Sequence, residues 1–395
     1  MKTVNADDEG IDTFDEINTF DEVNAPVAPV ESFAVAIQRR VKATLDPRVL
    51  SGAYRRLHNK AVVVAVWYIA SYVLLVIASG WIMGVVACVS FALAMTAVGF
   101  NIQHDANHNA LCPTSGSKRF TIPNRIAGWS MYALGASSKR WIEGHVFSHH
   151  SSTNIVGKDD DIELRPFARL APSQPRRVMH RYQHLYVWML YGFTAAAIIM
   201  ADIMGIITES FTGDRHGRRP STGDYVVLLG TKVLFIGATV GVPMLFHPWW
   251  IVAIGVGAVL TITGLLLGVV FQLAHVVSEV EFADGLAPED VKWHEWQVRT
   301  SADFCHGSSL SARMITWYTG GLNYQTEHHL FPQLPHTAYP AIAPVVETTC
   351  ATYDIPYSVQ PTLRAAIASH YRHLRALGRA DLVPNTAVST KGRSH

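Results

Sequence analysis

Residues 61–108 read AVVVAVWYIASYVLLVIASGWIMGVVACVSFALAMTAVGFNIQHDANH, and this stretch decides the fold. Within it, 61–79 and 81–100 carry no charged side chain. Each is long enough to cross a hydrocarbon core of ~30 Å as a helix. Only the Ser79-Gly80-Trp81 region parts them, so the pattern predicts a tight helical hairpin. The stretch ends on His104-Asp105-Ala106-Asn107-His108, two imidazoles four residues apart. On a continuing helix they share one face, just past the end of a membrane crossing.

A second apolar pair, at about 224–246 and 249–271, is joined by His247-Pro248. Trp249 and Trp250 then fall at the far membrane interface, where amphipathic indoles prefer to sit. A further apolar segment, 185–208, contains Asp202. Arg176, Arg177 and Arg181 precede it, and Arg215, Arg218 and Arg219 follow it. Lys and Arg accumulate on the cytoplasmic side, so both flanks read as cytoplasmic. The segment itself therefore reads as a helix lying in the interface. The expected fold is an all-α multi-pass membrane protein with four transmembrane helices in two hairpins. Interfacial helices and a cytoplasmic helical cap complete it, and four crossings leave both termini and the 101–222 region on one side.

Composition agrees with this architecture. Of the 395 residues 49% are apolar and 16% charged, where an average soluble domain carries roughly 25% charged. A net charge of +1 offers nothing to nucleic acid. Cys88, Cys112, Cys305 and Cys350 are scattered without a C-x-x-C pair, which fits neither a disulfide framework nor a thiolate metal site. Residues 1–35 are acidic and contain a short duplication, TFDEIN then TFDEVN, at 13–24. They lack the basic start and apolar core of a signal peptide and read as a disordered tail. A basic stretch from Arg39 to Lys60 follows, and one domain is expected over 36–380. Near its end, 361–378 sets Leu363, Ile367, Tyr371, Leu374 and Leu377 at near-helical spacing. Residues 381–395 are polar and read as a second disordered tail.

Nineteen histidines are present, and their placement carries the chemistry. Besides His104 and His108 there are His145-Val146-Phe147-Ser148-His149-His150, Gln325-Thr326-Glu327-His328-His329, and His275 at the end of the fourth crossing. All fall in regions assigned to the cytoplasmic side. A structural zinc site takes about four ligands, so these eight imidazoles imply two metal ions. An all-nitrogen donor set suits iron, zinc, copper or nickel alike. Location points to iron, because lipid chains are the abundant substrates at the mouth of a membrane hairpin. An unactivated C–H bond yields only to an oxidant that a redox metal makes from oxygen. Spacing alone is insufficient, since His180 and His184 repeat it beside the interfacial segment. That pair reads as interfacial packing or headgroup contact. His58, His216, His247, His294, His306, His336, His370, His373 and His395 read as surface or locally hydrogen-bonded groups.

The three motifs His104-x-x-x-His108, His145-x-x-x-His149-His150 and Gln325-x-x-His328-His329 resemble the histidine boxes of the membrane fatty-acid desaturases. The Gln of the third is similar to the front-end branch and its bacterial acyl-CoA relatives. The resemblance extends to Asn101-Ile102-Gln103-His104-Asp105, Thr153-Asn154 with Asp159-Asp160-Asp161, Gln297-x-x-Thr300, and Gly320-Gly321-Leu322-Asn323-Tyr324. It implies a cytoplasmic dinuclear site in which the eight histidines hold two iron ions, with His275 matching the family's extra ligand near the last crossing. Gln325 stands where other branches carry histidine, which implies a supporting or weak-ligand role. A long-chain acyl group in a narrow tunnel, molecular oxygen, two electrons and a cis double bond as product are also implied. Many front-end members carry a fused haem domain with a His-Pro-Gly-Gly signature, but here His247-Pro248 is followed by Trp249. Electrons are therefore expected from a separate, ferredoxin-type donor with its reductase. Val146 and Glu143 depart from the commoner Asn and basic residue without removing a ligand.

In the Asp159–Asp161 run a carboxylate can accept an imidazole N–H and fix its tautomer; Asp160 and Asp161 are the expected acceptors. Lys118, Arg119, Lys139 and Arg140 are candidates for a phosphate-bearing headgroup or coenzyme A. The acyl carrier, coenzyme A, a phospholipid or acyl carrier protein, stays open, and so does a hydroxylase on the same scaffold. A metal transporter would place polar residues inside the crossings, which are almost uncharged here. A zinc hydrolase would carry His-Glu-x-x-His, which does not occur. The expected setting is a bacterial inner membrane, with the active site and both termini cytoplasmic.

Overall fold

The computed structural model describes residues 31–113, 121–212 and 219–379. The tail segments 1–30 and 381–395, together with Lys118, Arg119 and His216, lie outside the described residues. The acidic tail ends earlier than residue 35, because helix α1 (Phe33–Thr44) starts inside it. Phe33, Ala36, Ile37 and Val41 recur on one buried face of α1, and Phe33, Ile37 and Val41 pack in one cluster with Ile342, Val346 and Cys350. Fully burying an aliphatic side chain such as Ile37 stabilises by roughly 1.5–3 kcal/mol, which ties this helix to the body.

Helix α2 (Pro47–Ile77) is longer than its charge-free part. Asp46 caps it, accepting the N–H groups of Arg48 at 2.7 Å and Val49 at 2.9 Å, and Pro47 occupies the first turn. The basic stretch therefore continues directly into the membrane helix. Gly80, at φ +74°, turns the chain sharply into α3 (Gly80–Asn107). Many side chains of these helices face outward, among them Val62, Val66, Ile69 and Val73 of α2. Apolar faces this wide require a non-aqueous surrounding, and a helix satisfies its own backbone there.

The apolar segment 185–208 is not one interfacial helix. It divides into α4 (Gln183–Tyr191) and α5 (Thr194–Thr212). Helix α6 (Thr222–Met244) and α7 (Trp249–His275) follow as the second hairpin. Close approach explains the break: a Cβ on Gly264 of α7 would stand 2.5 Å from the Gly192 carbonyl oxygen. Among the described residues five helices (α2, α3, α5, α6 and α7) are long and apolar enough to cross a membrane. Asp202 of α5 is buried and paired with Lys232 Nζ of α6 at 2.8 Å. A carboxylate held by a cation no longer marks α5 as too polar for an apolar setting.

The cap is built from α8 (Trp293–Arg299), α9 (Leu310–Tyr318), α10 (Gln325–Leu330), α11 (Tyr339–Thr352) and α12 (Leu363–Arg379). Helix α12 buries Leu374 and Leu377, and Leu374 packs beside Val187 and Tyr191 of α4. Among the described residues, apart from two short parallel strand pairs, Ile155–Val156 with Ala283–Asp284 and Ala302–Phe304 with Ser358–Gln360, the regular structure is helical.

Candidate metal centre

Local winding brings the histidines of each motif onto one face. Residues Gly99–Gln103 form a π turn inside α3, closed by the His104 N–H donating to the Gly99 carbonyl. A short helix, Ser138–Trp141, runs into a π-helical segment, Ile142–His149, closed by the His150 N–H on the His145 carbonyl. Hydrogen bonding over five residues widens the turn, so residues four and five apart both return to the same side. That is why His145, His149 and His150 all point inward, with the His145 and His149 rings stacked at 5.1 Å. The third motif is placed by Gly320, at φ +65°, where a Cβ would meet the Phe100 carbonyl oxygen at 2.1 Å. Only glycine lets that turn press against the π turn preceding His104.

Two groups result. His104, His108, His145 and His328 offer ligand nitrogens within 4.8 Å of one another, and so do His149, His275 and His329. His150 lies between the groups, its ring stacked on His329 at 4.3 Å and its Nε2 3.1 Å from His328 Nε2. All eight side chains are buried. His104, His108 and His145 leave Nε2 buried without a hydrogen-bond partner among the described residues. Burying such an acceptor unsatisfied is costly.

The second group shows why the nitrogens face inward. His149 donates Nδ1–H to Asp159 Oδ1 at 3.0 Å. His275 donates to the Thr300 carbonyl at 2.9 Å, and His329 to Gln297 Oε1 at 2.7 Å. Each acceptor fixes the proton on Nδ1 and leaves a lone pair on Nε2. His275 Nε2 and His329 Nε2 consequently stand 3.1 Å apart, while the Gln325 amide donates to His275 Nε2 at 2.8 Å. Lone pairs brought this close repel unless a cation lies among them. The residues fit a metal centre on these grounds.

Titration behaviour points the same way. Burial, aided by neighbouring imidazoles, holds His150, His328 and His329 well below the usual histidine range and His145 at about 4. They stay neutral, as a metal ligand must. Burial would lower His149 too, but the carboxylates of Asp159 and Asp161 outweigh it and raise the ring to about 9. A cation at its Nε2 would take the place of a proton.

The acidic run is used differently from the expectation. Asp159, not Asp160, is the buried carboxylate in direct hydrogen bond with a histidine. Its second oxygen accepts the Asn154 N–H at 2.8 Å, so the turn aims it inward. Asp161 Oδ2 lies 3.5 Å from His149 Nδ1 and 3.6 Å from His145 Nδ1. Asp160 sits on the exposed side of the same turn. Gln297 and Thr300, noticed in the sequence only as part of a resemblance, are the acceptors for His329 and His275.

The remaining histidines mostly pack within the chain. His180 accepts the Arg177 N–H at 3.0 Å and donates to the Pro166 carbonyl at 3.0 Å, and His184 lies edge-on to Tyr371. His336 is neither at the surface nor locally bonded: it is buried against Asp105. Lys139 pairs with Asp224 at 2.9 Å, and Arg140 with Glu209 at 2.9 Å. Both cations thus have partners inside the chain.

A multi-pass helical protein with inward-facing imidazoles gathered at the ends of α3 and α7 defines a polyhistidine membrane oxidoreductase. The family model for fatty acid desaturase matches residues 79–361, a range that contains all eight histidines. The chain belongs to the fatty acid desaturase family and is an oxidoreductase acting as a fatty acid desaturase. It is 32% identical to an sn-1 linoleoyl-lipid 6-desaturase of Arthrospira platensis, over 87% of this chain and 92% of that protein. A protein of the same name from Synechocystis sp. is 31% identical over 82% and 89%. An acyl-lipid (8-3)-desaturase of Physcomitrium patens is 34% identical over 88% and 72%.

Proposed function

We propose that this chain inserts a cis double bond into a long-chain acyl group esterified in a membrane lipid, at a di-iron centre held by His104, His108, His145, His149, His150, His275, His328 and His329. The observation that carries this reading is the apposition of the histidine groups and an apolar cleft. The cleft is narrow and partly open, and it runs from Gln103, His104 and Trp141 to Met95, Thr263 and Leu267. A methylene chain lying in it would reach the first histidine group and no charged side chain. The relatives named above act on acyl groups of lipids, which favours a lipid-bound substrate over acyl-CoA. When bound, iron would supply the oxygen-derived oxidant that removes hydrogen from an unactivated methylene. The protein's part is to hold the donors. Asp159, Thr300 and Gln297 fix the tautomers of His149, His275 and His329, and the Gln325 amide, turned over, presents an oxygen as a weak ligand.

Four crossings remain the reading for the membrane. The His149 and His275 rings are 4.7 Å apart, and α5, α6 and α7 lie between them in sequence. Three crossings there would put the two rings on opposite faces; two crossings, by α6 and α7 with α5 in the interface, keep them together. With arginines flanking α4 and α5, the centre and both termini face the cytoplasm of a bacterial inner membrane. In this reading electrons come from a ferredoxin-type carrier with its reductase.

Expression in a host lacking desaturases, with lipid acyl chains profiled, tests the function. New cis unsaturation in the intact lipid fraction, absent with His149→Ala, is the expected result. A hydroxylated product without unsaturation, or unsaturation only in the acyl-CoA pool, would sink the respective part of the proposal.

A further inference from the structure

A buried run of charged and titratable side chains leads away from the first histidine group toward α2. Lys60 of α2 and His336, in the turn before α11, are 7% and 2% exposed. The Lys60 ammonium lies 2.9 Å from His336 Nε2. His336 Nδ1 is 2.8 Å from Asp105 Oδ2, which also accepts the His336 backbone N–H at 3.3 Å. The other oxygen of Asp105 is 3.7 Å from His104 Nδ1.

With Lys60 charged, the donor inventory leaves one consistent arrangement. An ammonium has only protons to give, so His336 Nε2 must be the acceptor. The imidazole proton then stands on Nδ1 and is donated to the carboxylate. A lysine buried this deeply needs a counter-charge; Asp105 supplies it through the ring. Two distant parts of the chain, at Lys60 and His336, are thereby tied to one carboxylate. The gap to His104 exceeds a hydrogen bond, but a carboxylate at that distance still favours the proton on His104 Nδ1. That leaves His104 Nε2, the buried nitrogen without a partner, open to the first group.

We propose that Lys60 and His336 are positioning residues for the metal centre: they hold Asp105 so that His104 keeps its proton on Nδ1 and turns Nε2 inward. The inference rests on the di-iron reading above. It predicts that a membrane-helix lysine sets how tightly one of the two metals is held.

Purified wild type, Lys60→Met, Lys60→Arg and His336→Phe are loaded with ferrous iron without oxygen, and iron per chain is followed through a graded chelator series alongside thermal unfolding. Lys232→Met is the reference, a buried lysine whose partners are Asp202 and the Gly135 and Ile199 carbonyls. In Lys60→Met and His336→Phe, one half of the iron should leave at a chelator level about 10-fold or more below wild type, the other half as in wild type. Lys60→Arg, still a donor, should restore the wild-type curve, and Lys232→Met should lose thermal stability without changing release. Wild-type release in both disruptive variants overturns the inference, as does a uniform shift of both halves shared with Lys232→Met. If neither disruptive variant accumulates, Asp105→Asn carries the same expectation of half-release, and a wild-type curve there is equally fatal. A wild type that never binds two irons would instead overturn the di-iron reading, and this inference with it.

Discussion

In one histidine group, His149, His275 and His329 each donate Nδ1–H to an oxygen at 2.7 to 3.0 Å. In the other, the outward contacts of His104, His145 and His328 run from 3.2 to 3.7 Å. Contacts near 3.6 Å are not hydrogen bonds, so the two groups are prepared for a cation to different degrees. The tight group takes its acceptors from the turn after the second motif and from α8 with the residue that follows it. The loose group relies on Asp161 and Tyr339 and on the Lys60–His336–Asp105 run. One group is set by direct hydrogen bonds; the other is held at longer range.

His149→Ala should break this comparison most completely, because His149 belongs to the tight group and stacks on His145 of the loose one. Desaturation should fall to background in the acyl-chain profile, and iron should drop by about one per chain or more. Retained unsaturation would remove His149 from the ligand set. The acidic run gives the next largest effect. Asp159→Ala should cost about 10–100-fold in metal affinity or activity, and Asp161→Ala clearly less, because its contacts are longer and its side chain is 37% exposed. Paired metal-binding isotherms decide this, and the reverse order would contradict the geometry.

The chelator series on wild-type protein sharpens the comparison further. Iron should leave in two phases about 10-fold apart, with His108→Ala lacking the weaker phase and His329→Ala the tighter one. The opposite assignment would show that longer outward contacts do not mean weaker binding. The smallest effect concerns His370, a buried histidine outside both groups. Its ring nitrogens are 2.6 Å from the Val276 carbonyl and 2.8 Å from the Tyr191 hydroxyl, so both are satisfied. Burial lowers its pKa to about 4, below an unfolded value of about 6.5. Between those values the unfolded chain binds more protons. Stability is therefore complete above about pH 6.5 and declines as pH falls toward 4. His370→Gln should flatten that decline in pH-dependent unfolding while leaving iron content unchanged; a loss of iron would place His370 in the centre.

Both apolar hairpins were legible in the sequence, because a run of about 20 residues with two charged side chains or fewer has few other uses. The histidine positions were equally legible, since four-residue spacing beside a crossing is a local pattern. The start of α1 was not, as Phe33 and Ile37 look unremarkable until Ile342 and Val346 are set against them. The division of 185–208 into α4 and α5 was hidden for a similar reason: Gly264, which lets the break approach α7, lies far away in sequence. The sequence points to Asp160 and Asp161 rather than Asp159, because composition cannot tell which member of an acidic run a turn aims inward.

By itself, the sequence determined that this is a helical membrane protein, that its histidines cluster at the ends of the crossings, and which family it resembles. Run length and residue spacing are written in consecutive positions, so they can be read there. Only the tertiary structure decided which oxygen orients each ring, that Asp202 is neutralised by Lys232, and that His336 joins Lys60 to Asp105. Those pairings span from 10 residues for His149 with Asp159 to 276 for Lys60 with His336. A side chain's protonation and direction depend on the partner it meets, and that partner exists only once the chain has folded.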